Sequence, residues 1–405
     1  MSTISISSLF PFCRLKFVNS EEVELGIGSG KVIEFRPDQR FSPISAHCKT
    51  KGTSQHSKHQ RFLRDLSLGP HKTLIHLNYR KIYCPHCGQV RVEELDIATP
   101  GGPRVTKRLA TYIQQLCKLM PVKAVAEHLH LDWKTVKEVE KQGLQSEFGD
   151  TDYNGLRYLA VDEISYGKHH KYLTTVIDFE TGRVVWVGED RKFDTLKEFF
   201  TQMPEKIRSQ IKAVAMDMWD PFIKAVTEFC PNAAIVFDMF HIVAQYSKVI
   251  DQVRREETSK AATETDKKVI KGSRCILLKN QENLKDSQKI RLEELLAVNK
   301  NLATVHILRN ELKAIWQHKD RQQMAEAFDE WCSKTSEADI SALSKFVETL
   351  ERHKDGILNH ADYPIHTGKL EGINNKIKVI KRQAYGFHDL EYFILKIKQA
   401  CSGKS

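Results

Sequence analysis

Three unbroken apolar runs, each closing on an acid, constrain this chain most. They are "LRYLAVDEISYG" with Asp162, "IKAVAMDMW" with Asp217 and "AAIVFDMFH" with Asp238. Runs without polar alternation are strands buried on both faces of a sheet, and such a sheet must be covered by helices. Helices lie between the runs: "DTLKEFFTQM" is amphipathic, and Asp220-Pro221 opens "PFIKAVTEFC". "KYLTTVIDFETGRVVWVGED" reads as a hairpin turning at Glu180-Thr181-Gly182. Residues 155–250 are therefore expected to alternate strands and helices.

Strand ends in α/β folds face the crevice where ligands bind. A lone aspartate there is usually a helix cap or a turn former, and Asp178 and Asp220 fit that role. Asp162 and Asp217 fit it poorly, because each has a neighbour better placed to cap or turn. A third acid, Glu371, opens the basic stretch "HTGKLEGINNKIKVIKRQAYGFHDL" over 366–390. Three carboxylates at one point repel unless a divalent cation neutralises them. Hard oxygen ligands suit Mg²⁺ or Mn²⁺, and two such ions about 4 Å apart serve phosphodiester cleavage. Glu371 would complete that site while Lys376, Lys378, Lys381 and Arg382 hold a phosphate backbone. Lys369 and Asn375 are expected helpers, and Gly368 and Gly372 would let a backbone approach closely. The plainer alternative is a solvated amphipathic helix with an acid favourably placed at its start.

The chain's 405 residues exceed one ordinary core, so two or three domains are expected. Apolar content of 41% and charged content of 28% are those of a globular protein. A formal charge of +10 and a pI near 9.0 favour a polyanionic partner. No stretch approaches the roughly 18 uncharged apolar residues of a membrane span. "MSTISISSLFPFC" lacks a basic lead and a cleavage site, so no secretion signal is expected. Nine scattered cysteines, an odd number, argue against a disulfide scaffold and for a reducing, cytoplasmic setting.

From His47 to Arg91, nine Lys and Arg stand against one acid, Asp65, with six His and three Cys. In "YCPHCGQV", Cys84 and Cys87 have the spacing that lets two thiolates reach one tetrahedral Zn²⁺. The second pair is weaker. His47, Cys48, His56 and His59 are available upstream, but Ser45 stands where a second C-x2-C would start. The expected set is Cys84, Cys87, Cys48 and one histidine, taken as His59; a basic β-ribbon without metal is the alternative. So small a segment has little apolar material for a core, which favours a metal. The turn-rich "ATPGGPR" at 98–104 closes the module.

"VTKRLATYIQQLCKLMPVKAVAEHLHLDWKTVKEVEKQ" reads as three helices. Val105 to Cys117 is the first, Pro121 opens a second that runs to about His130, and Asp132 caps a third. This is the helix-turn-helix pattern, whose second helix enters the major groove. Trp133, Lys134, Thr135 and Lys137 would be its reading face. Residues 251–360 are helical, with Leu292, Leu295, Leu302, Val305, Leu308, Leu312 and Ile315 at three- and four-residue steps.

"LAVDEISYGKHHKYLTTVIDFETGRVVWVGEDR", "AVAMDMWDPF", "VFDMFHIV" and "LEGINNKIKVIKRQAYGF" together resemble bacterial insertion-sequence transposases of the ISL-three family, over about residues 45–398. The resemblance implies DDE enzymes with an N-terminal zinc finger, a helix-turn-helix and an RNase H-like mixed-sheet core interrupted by a helical insertion. It implies Asp162, Asp217 and Glu371 as catalytic, metal-holding triad, with Asp238 and His241 in support. It further implies double-stranded DNA as partner, at the element's inverted repeats and at the target, with metal-dependent cleavage and strand transfer by a homo-oligomer. Segments are expected at 1–40 (N-terminal), 41–97 (zinc-finger-like), 104–145 (helix-turn-helix), 155–250 and 361–405 (core), and 251–360 (insertion). The alternatives are a non-catalytic DNA-binding protein descended from a transposase, or another RNase H-like nuclease such as a junction resolvase.

Overall fold

Alternation of apolar and polar residues builds the first sheet. In the computed structural model, which describes residues 9–10, 12–25, 28–69, 71–98, 101–167, 171–261, 263–279, 281–366 and 368–403, five strands form it. They are β1 (Leu15–Leu25), β2 (Gly28–Pro37), β3 (Ser54–Arg64), β4 (Lys72–Cys84) and β5 (Gln89–Val92). Their order is β1-β2-β4-β3, with β5 on the end of β4. Every second residue of β4, Thr73, Ile75 and Leu77, is buried. The two isoleucine and leucine side chains pack with Ile33, Phe35 and Leu63. The N-terminal segment expected to end at residue 40 is therefore part of the sheet, because β2 bonds in parallel to β4 along Gly30–Phe35. Of the expected turn at 98–104, residues 99–100 lie outside the described residues, as do residues 1–8 of the N-terminus.

Three helices follow: α1 (Lys107–Leu119), α2 (Val122–Leu129) and α3 (Trp133–Phe148). Thr106 caps α1 and Asp132 caps α3, accepting the Lys134 N–H. His130 takes the left-handed conformation that ends α2 (φ 49°). Leu109, Ile113, Val125, Val136 and Val139 form their core. Asp65, the lone acid of the basic module, is fully buried and joins sheet to helices. It accepts hydrogen bonds from Thr106 Oγ1 (2.6 Å) and Arg108 Nε (2.8 Å). Sheet and helices form one compact unit through Asp150, with Gln383–Phe387.

The second compact unit, Thr151–Arg382 with His388–Ser405, carries the buried runs. In chain order it has β6 (Tyr158–Ser165), β7 (Tyr172–Asp178), β8 (Val184–Glu189), α4 (Phe193–Gln202), α5 (Glu205–Arg208), β9 (Ala213–Met216), α6 (Asp220–Phe229), β10 (Ala234–Phe237) and α7 (Met239–Lys260). The sheet order is β10-β9-β6-β7-β8. β6, β9 and β10 run parallel, and β7 is antiparallel to both β6 and β8. This is the expected RNase H-like mixed sheet. Asp178 forms the turn after β7, accepting the Glu180 N–H and the Thr181 hydroxyl, with Gly182 at φ 73°.

Among the described residues, seven α-helices make the insertion: α8 (Glu264–Lys271), α9 (Arg274–Leu278), α10 (Asp286–Val298), α11 (Lys300–Ala314), α12 (Arg321–Glu337), α13 (Ser341–Arg352) and α14 (Lys354–Asp362). No break falls at residue 250, because α7 runs on through it and carries Tyr246 into the insertion's core. There the Tyr246 hydroxyl donates to Val305 O (3.0 Å) and its ring meets Phe346 at 5.3 Å. α14 returns to the sheet, where Asn359 donates to Ile235 O on edge strand β10 (2.8 Å). α15 (Gly368–Gln383) and α16 (Leu390–Ala400) complete the unit. No described helix is long and apolar enough to cross a membrane.

On α7 a buried acid, Asp251, takes Arg254 at 2.8 Å and Arg255 at 2.7 Å. Burial alone would lift its carboxyl, but the two arginines outweigh burial and hold it below the ordinary 3.8. A carboxyl lowered by folding stabilises above its unfolded value, and that stability is lost as pH falls through the folded value. Asp251→Asn is therefore expected to cost roughly 3 kcal/mol at pH 7 by stranding Arg254. The gap to wild type should narrow as denaturant titrations move below pH 3.8.

Candidate active site

The register of β6 on β9 sets the site. Tyr158 lies opposite Ala213 and Ala160 opposite Ala215, so the chain two residues on brings Asp162 level with Asp217. Neighbouring strands stand roughly 4.8 Å apart, so the two carboxylates emerge side by side. Each is steadied by backbone: Asp162 Oδ1 accepts the Glu163 N–H (2.8 Å) and Asp217 Oδ1 the Met218 N–H (2.7 Å). One strand further, Asp238 caps α7 by accepting the Phe240 N–H (3.0 Å). That cap turns the first helical turn inward, and His241 Nδ1 comes 3.7 Å from Asp217 Oδ2.

Burial pushes the Asp162 carboxyl up. The nearby His241, the Glu163 N–H and Asn374 oppose the rise, and Asp217 adds to it. Glu163 is raised as well, first by burial and then by the charges of Asp162 and Asp217, with Arg191 opposing. Both carboxyls are raised, so negative charge is held at a cost here.

α15 brings the third acid. Leu370 and Ile377 are buried, which turns the face between them inward, and Asn374 Nδ2 donates to Asp162 Oδ2 (2.7 Å). Asn374 Oδ1 is buried without a hydrogen-bond partner among the described residues. Glu371 precedes Asn374 by one turn and is exposed. Among the described residues, only Cys48, His86 and Cys87 bring three ligand atoms within 4.8 Å of one another. Like charges repel, and Glu371 stands on an exposed turn where nothing forces it onto the aspartates.

The helper expected at Asn375 is exposed, and Asn374 makes the contact instead. The helical phase of Leu370 and Ile377 is the signal that selects position 374. Lys376 is exposed, but its ammonium is not free for a phosphate as expected. It donates to Ala400 O, closing the carbonyl end of α16. Lys369 is likewise tied down, donating to Phe179 O (2.5 Å) with its ammonium 4.5 Å from the Phe179 ring. Lys378 and Arg382 are exposed one turn apart, and Lys381 is half-buried.

In the first unit, Cys48 Sγ lies 3.3 Å from Cys84 Sγ and 3.4 Å from Cys87 Sγ. His47 Nδ1 stands 3.7 Å from Cys87 Sγ. Hydrogen bonds from Thr50, then Ser45, bring the Cys48 thiol down to about 5, toward the thiolate form that ligates. Hydrogen bonding with Cys48 pushes Cys87 the other way. Ser45 is buried and its Oγ accepts the His47 N–H (3.2 Å), so it builds the turn that presents Cys48. His59, the histidine taken for the set, is elsewhere. It pairs opposite Tyr79, five residues up β4 from Cys84, and stacks on that ring at 5.5 Å. His86 inside the knuckle and His47 beside Cys48 are the histidines at the cluster. All nine cysteines are free, and this cluster is compatible with zinc. On α3, Trp133 is 52% exposed and Lys134 exposed, while Thr135 and Lys137 are half-buried.

An RNase H-like sheet with acids at adjoining strand ends, in a chain that also carries a helix-turn-helix, defines a DDE-type DNA-processing enzyme. A family model described as "Transposase" (DDE_Tnp_ISL3) matches residues 159–397, and "Helix-turn-helix domain of transposase family ISL3" matches 98–142. The chain is 38% identical over 365 residues to the transposase for insertion sequence element IS1001 of Bordetella parapertussis, covering 89% of each. It is 26% identical over 408 residues to the transposase for insertion sequence element IS1557 of Mycobacterium tuberculosis (strain CDC 1551 / Oshkosh), covering 93% of this chain and 90% of that one. The chain belongs to the ISL3 family of transposases.

Because Asn374 holds Asp162 and Asn375 does not, their truncations should separate. Asn374→Ala is expected to slow DNA cleavage by roughly 10- to 100-fold, the usual effect of losing a group that orients a ligand. Asn375→Ala should stay within about twofold, as substitutions away from such contacts usually do. Single-turnover assays with both variants at saturating DNA read the difference.

Proposed function

We propose that this transposase cuts and joins DNA at Asp162, Asp217 and Glu371, after the helix-turn-helix and the Cys/His module have bound the inverted repeats of its element. The observation that carries the reading is the β6–β9 register, which sets Asp162 beside Asp217 under a helix that also bears Glu371. The donor set is hard oxygen only, and Asn374 Oδ1 adds a buried acceptor at the same place. These groups fit Mg²⁺ or Mn²⁺. Asp162, Asp217 and Glu371 would hold the ion or ions, which supply charge neutralisation at the phosphate and a more acidic attacking oxygen.

The chain's own residues prepare this chemistry. Asn374 orients Asp162, and His241 places its imidazole beside Asp217. Lys378 and Arg382 lie on the Glu371 face of α15, at helical spacing, and hold the backbone of the bound strand. Trp133 and Lys134 meet the DNA from the exposed start of α3, with Thr135 and Lys137 on the following turn. In the Cys/His module, Cys48, Cys84, Cys87 and one of His47 or His86 hold zinc. Cleavage of two element ends in concert calls for more than one copy on the DNA. The substrate places the work in the bacterial cytoplasm.

Alanine at Asp162, Asp217 or Glu371 should each lower Mg²⁺-dependent cleavage on the order of 10³-fold or more, the several kcal/mol that cation-assisted charge stabilisation supplies. Binding of an inverted-repeat end, read by gel shift, should change little. Cleavage that persists in all three variants overturns the assignment. Elemental analysis should find about one zinc per purified chain. Cys48→Ser and Cys87→Ser should lose it, whereas His59→Ala should keep it.

A further inference from the structure

We propose that Arg191 grips a backbone phosphate of the strand being cut, beside the carboxylates. The inference rests on the reading of those carboxylates as the cutting site. Arg191 follows β8 in a loop built to aim it. Asp190, a non-glycine residue, is held at φ 80°, a conformation that costs energy and persists only where its surroundings enforce it. Two hydrogen bonds do so: the Asp190 N–H donates to Tyr172 O (2.8 Å), and Thr174 Oγ1 donates to Asp190 O (2.6 Å).

The Arg191 guanidinium carbon then sits 4.4 Å from the Tyr172 ring centroid and 4.8 Å from that of Trp219. Trp219 stands two residues beyond Asp217, and its indole N–H donates to Arg191 O (3.0 Å), so ring and arginine are locked together. Stacking covers the faces of a guanidinium and leaves the in-plane N–H donors at its edge. Among the described residues, the only hydrogen bond of that edge is a long one, 3.4 Å to Glu163 Oε1.

Structural arginines in this protein look different. Arg309 is buried and donates to three carbonyls, Leu277, Leu278 and Lys279. Arg254 makes two bonds to Asp251, both 3.0 Å or shorter. Arg191 is 33% exposed and lies against two aromatic rings, and its one hydrogen-bond partner, Glu163, shares the acid cluster with Asp162 and Asp217. A planar fork of donors, fixed in place and open to solvent, is matched by the paired oxygens of a phosphodiester.

Single-turnover cleavage of pre-bound element ends tests this, with one neutral methylphosphonate walked across the cut region. Wild type should slow roughly 10- to 100-fold at one position near the cut, the size of a charge-assisted contact. Arg191→Ala should be slowed by a similar factor on ordinary DNA and lose its sensitivity at that one position only. If Arg191→Ala loses its thermal transition, Arg191→Lys runs the same cycle and should show the coupling in part. Full rate, or a slow variant with the wild-type pattern of sensitivity, overturns the inference, since a merely structural role couples to no single phosphate. If Asp162→Ala still cleaves, the reading of the acid site fails instead.

Discussion

Everything at the second unit's crevice depends on one parallel strand pair. Hydrogen bonding fixes β6 against β9 with Ala160 level with Ala215, and both strands are buried on each side. A one-residue slip would turn Asp162 to the opposite face and bury its charge in the wrong layer. The register is therefore enforced by the apolar core, through Leu159, Val161, Val214 and Met216, and the aspartates are carried along by it. The next strand continues the scheme: Phe237 pairs with Met216, Asp238 ends the strand as a helix cap, and the capped helix delivers His241. Packing pays for a cluster of like charges that has no stability of its own to offer.

The first unit solves a different problem, that of a thin sheet with a small core. Its answer is to tie ends together by polar contacts placed where water is excluded. Asp65 receives Thr106 and Arg108 at the joint between sheet and helices. Breaking a buried pair of this kind strands a charge, so it holds the reading helices to the sheet more firmly than an exposed pair would. At the other end of β4, three sulfurs gather where the β4–β5 turn meets the turn at Ser45. Hydrogen bonds within that turn, from Thr50 and Ser45, lower the Cys48 thiol.

Much of this was legible before any coordinates. Uninterrupted apolar runs predict central strands, because no other element buries such a segment on both faces, and the acids that end them are visible by inspection. The helix-turn-helix was legible because Asp132 and Pro121 announce helix starts. What failed did so for tertiary reasons. β1 and β2 carry charged sequence, and their pairing with each other and of β2 with β4 is what makes them part of the sheet. His59 and His86 are equal as letters, and only the register of β3 on β4 shows that His59 is too far up the strand. Lys376 reads as a phosphate ligand until α16 ends beside it. Asn374 and Asn375 differ only in helical phase, which the flanking Leu370 and Ile377 could have resolved.

Glu371 shows why the acids arrive on such different supports. Two of them are fixed to strands and cannot be moved without breaking the sheet. The third rides an exposed helical turn, tied to Asp162 only through Asn374 one turn later. A carboxylate on such a mount keeps its rotamer freedom, and like charge holds it off the aspartates unless positive charge offsets the repulsion. The same helix carries Lys378 and Arg382 on its exposed side, so DNA lying along it would steady the turn that holds the acid. On the proposed reading, the two strand-borne acids are the fixed members of the set and the helix-borne one is its adjustable member.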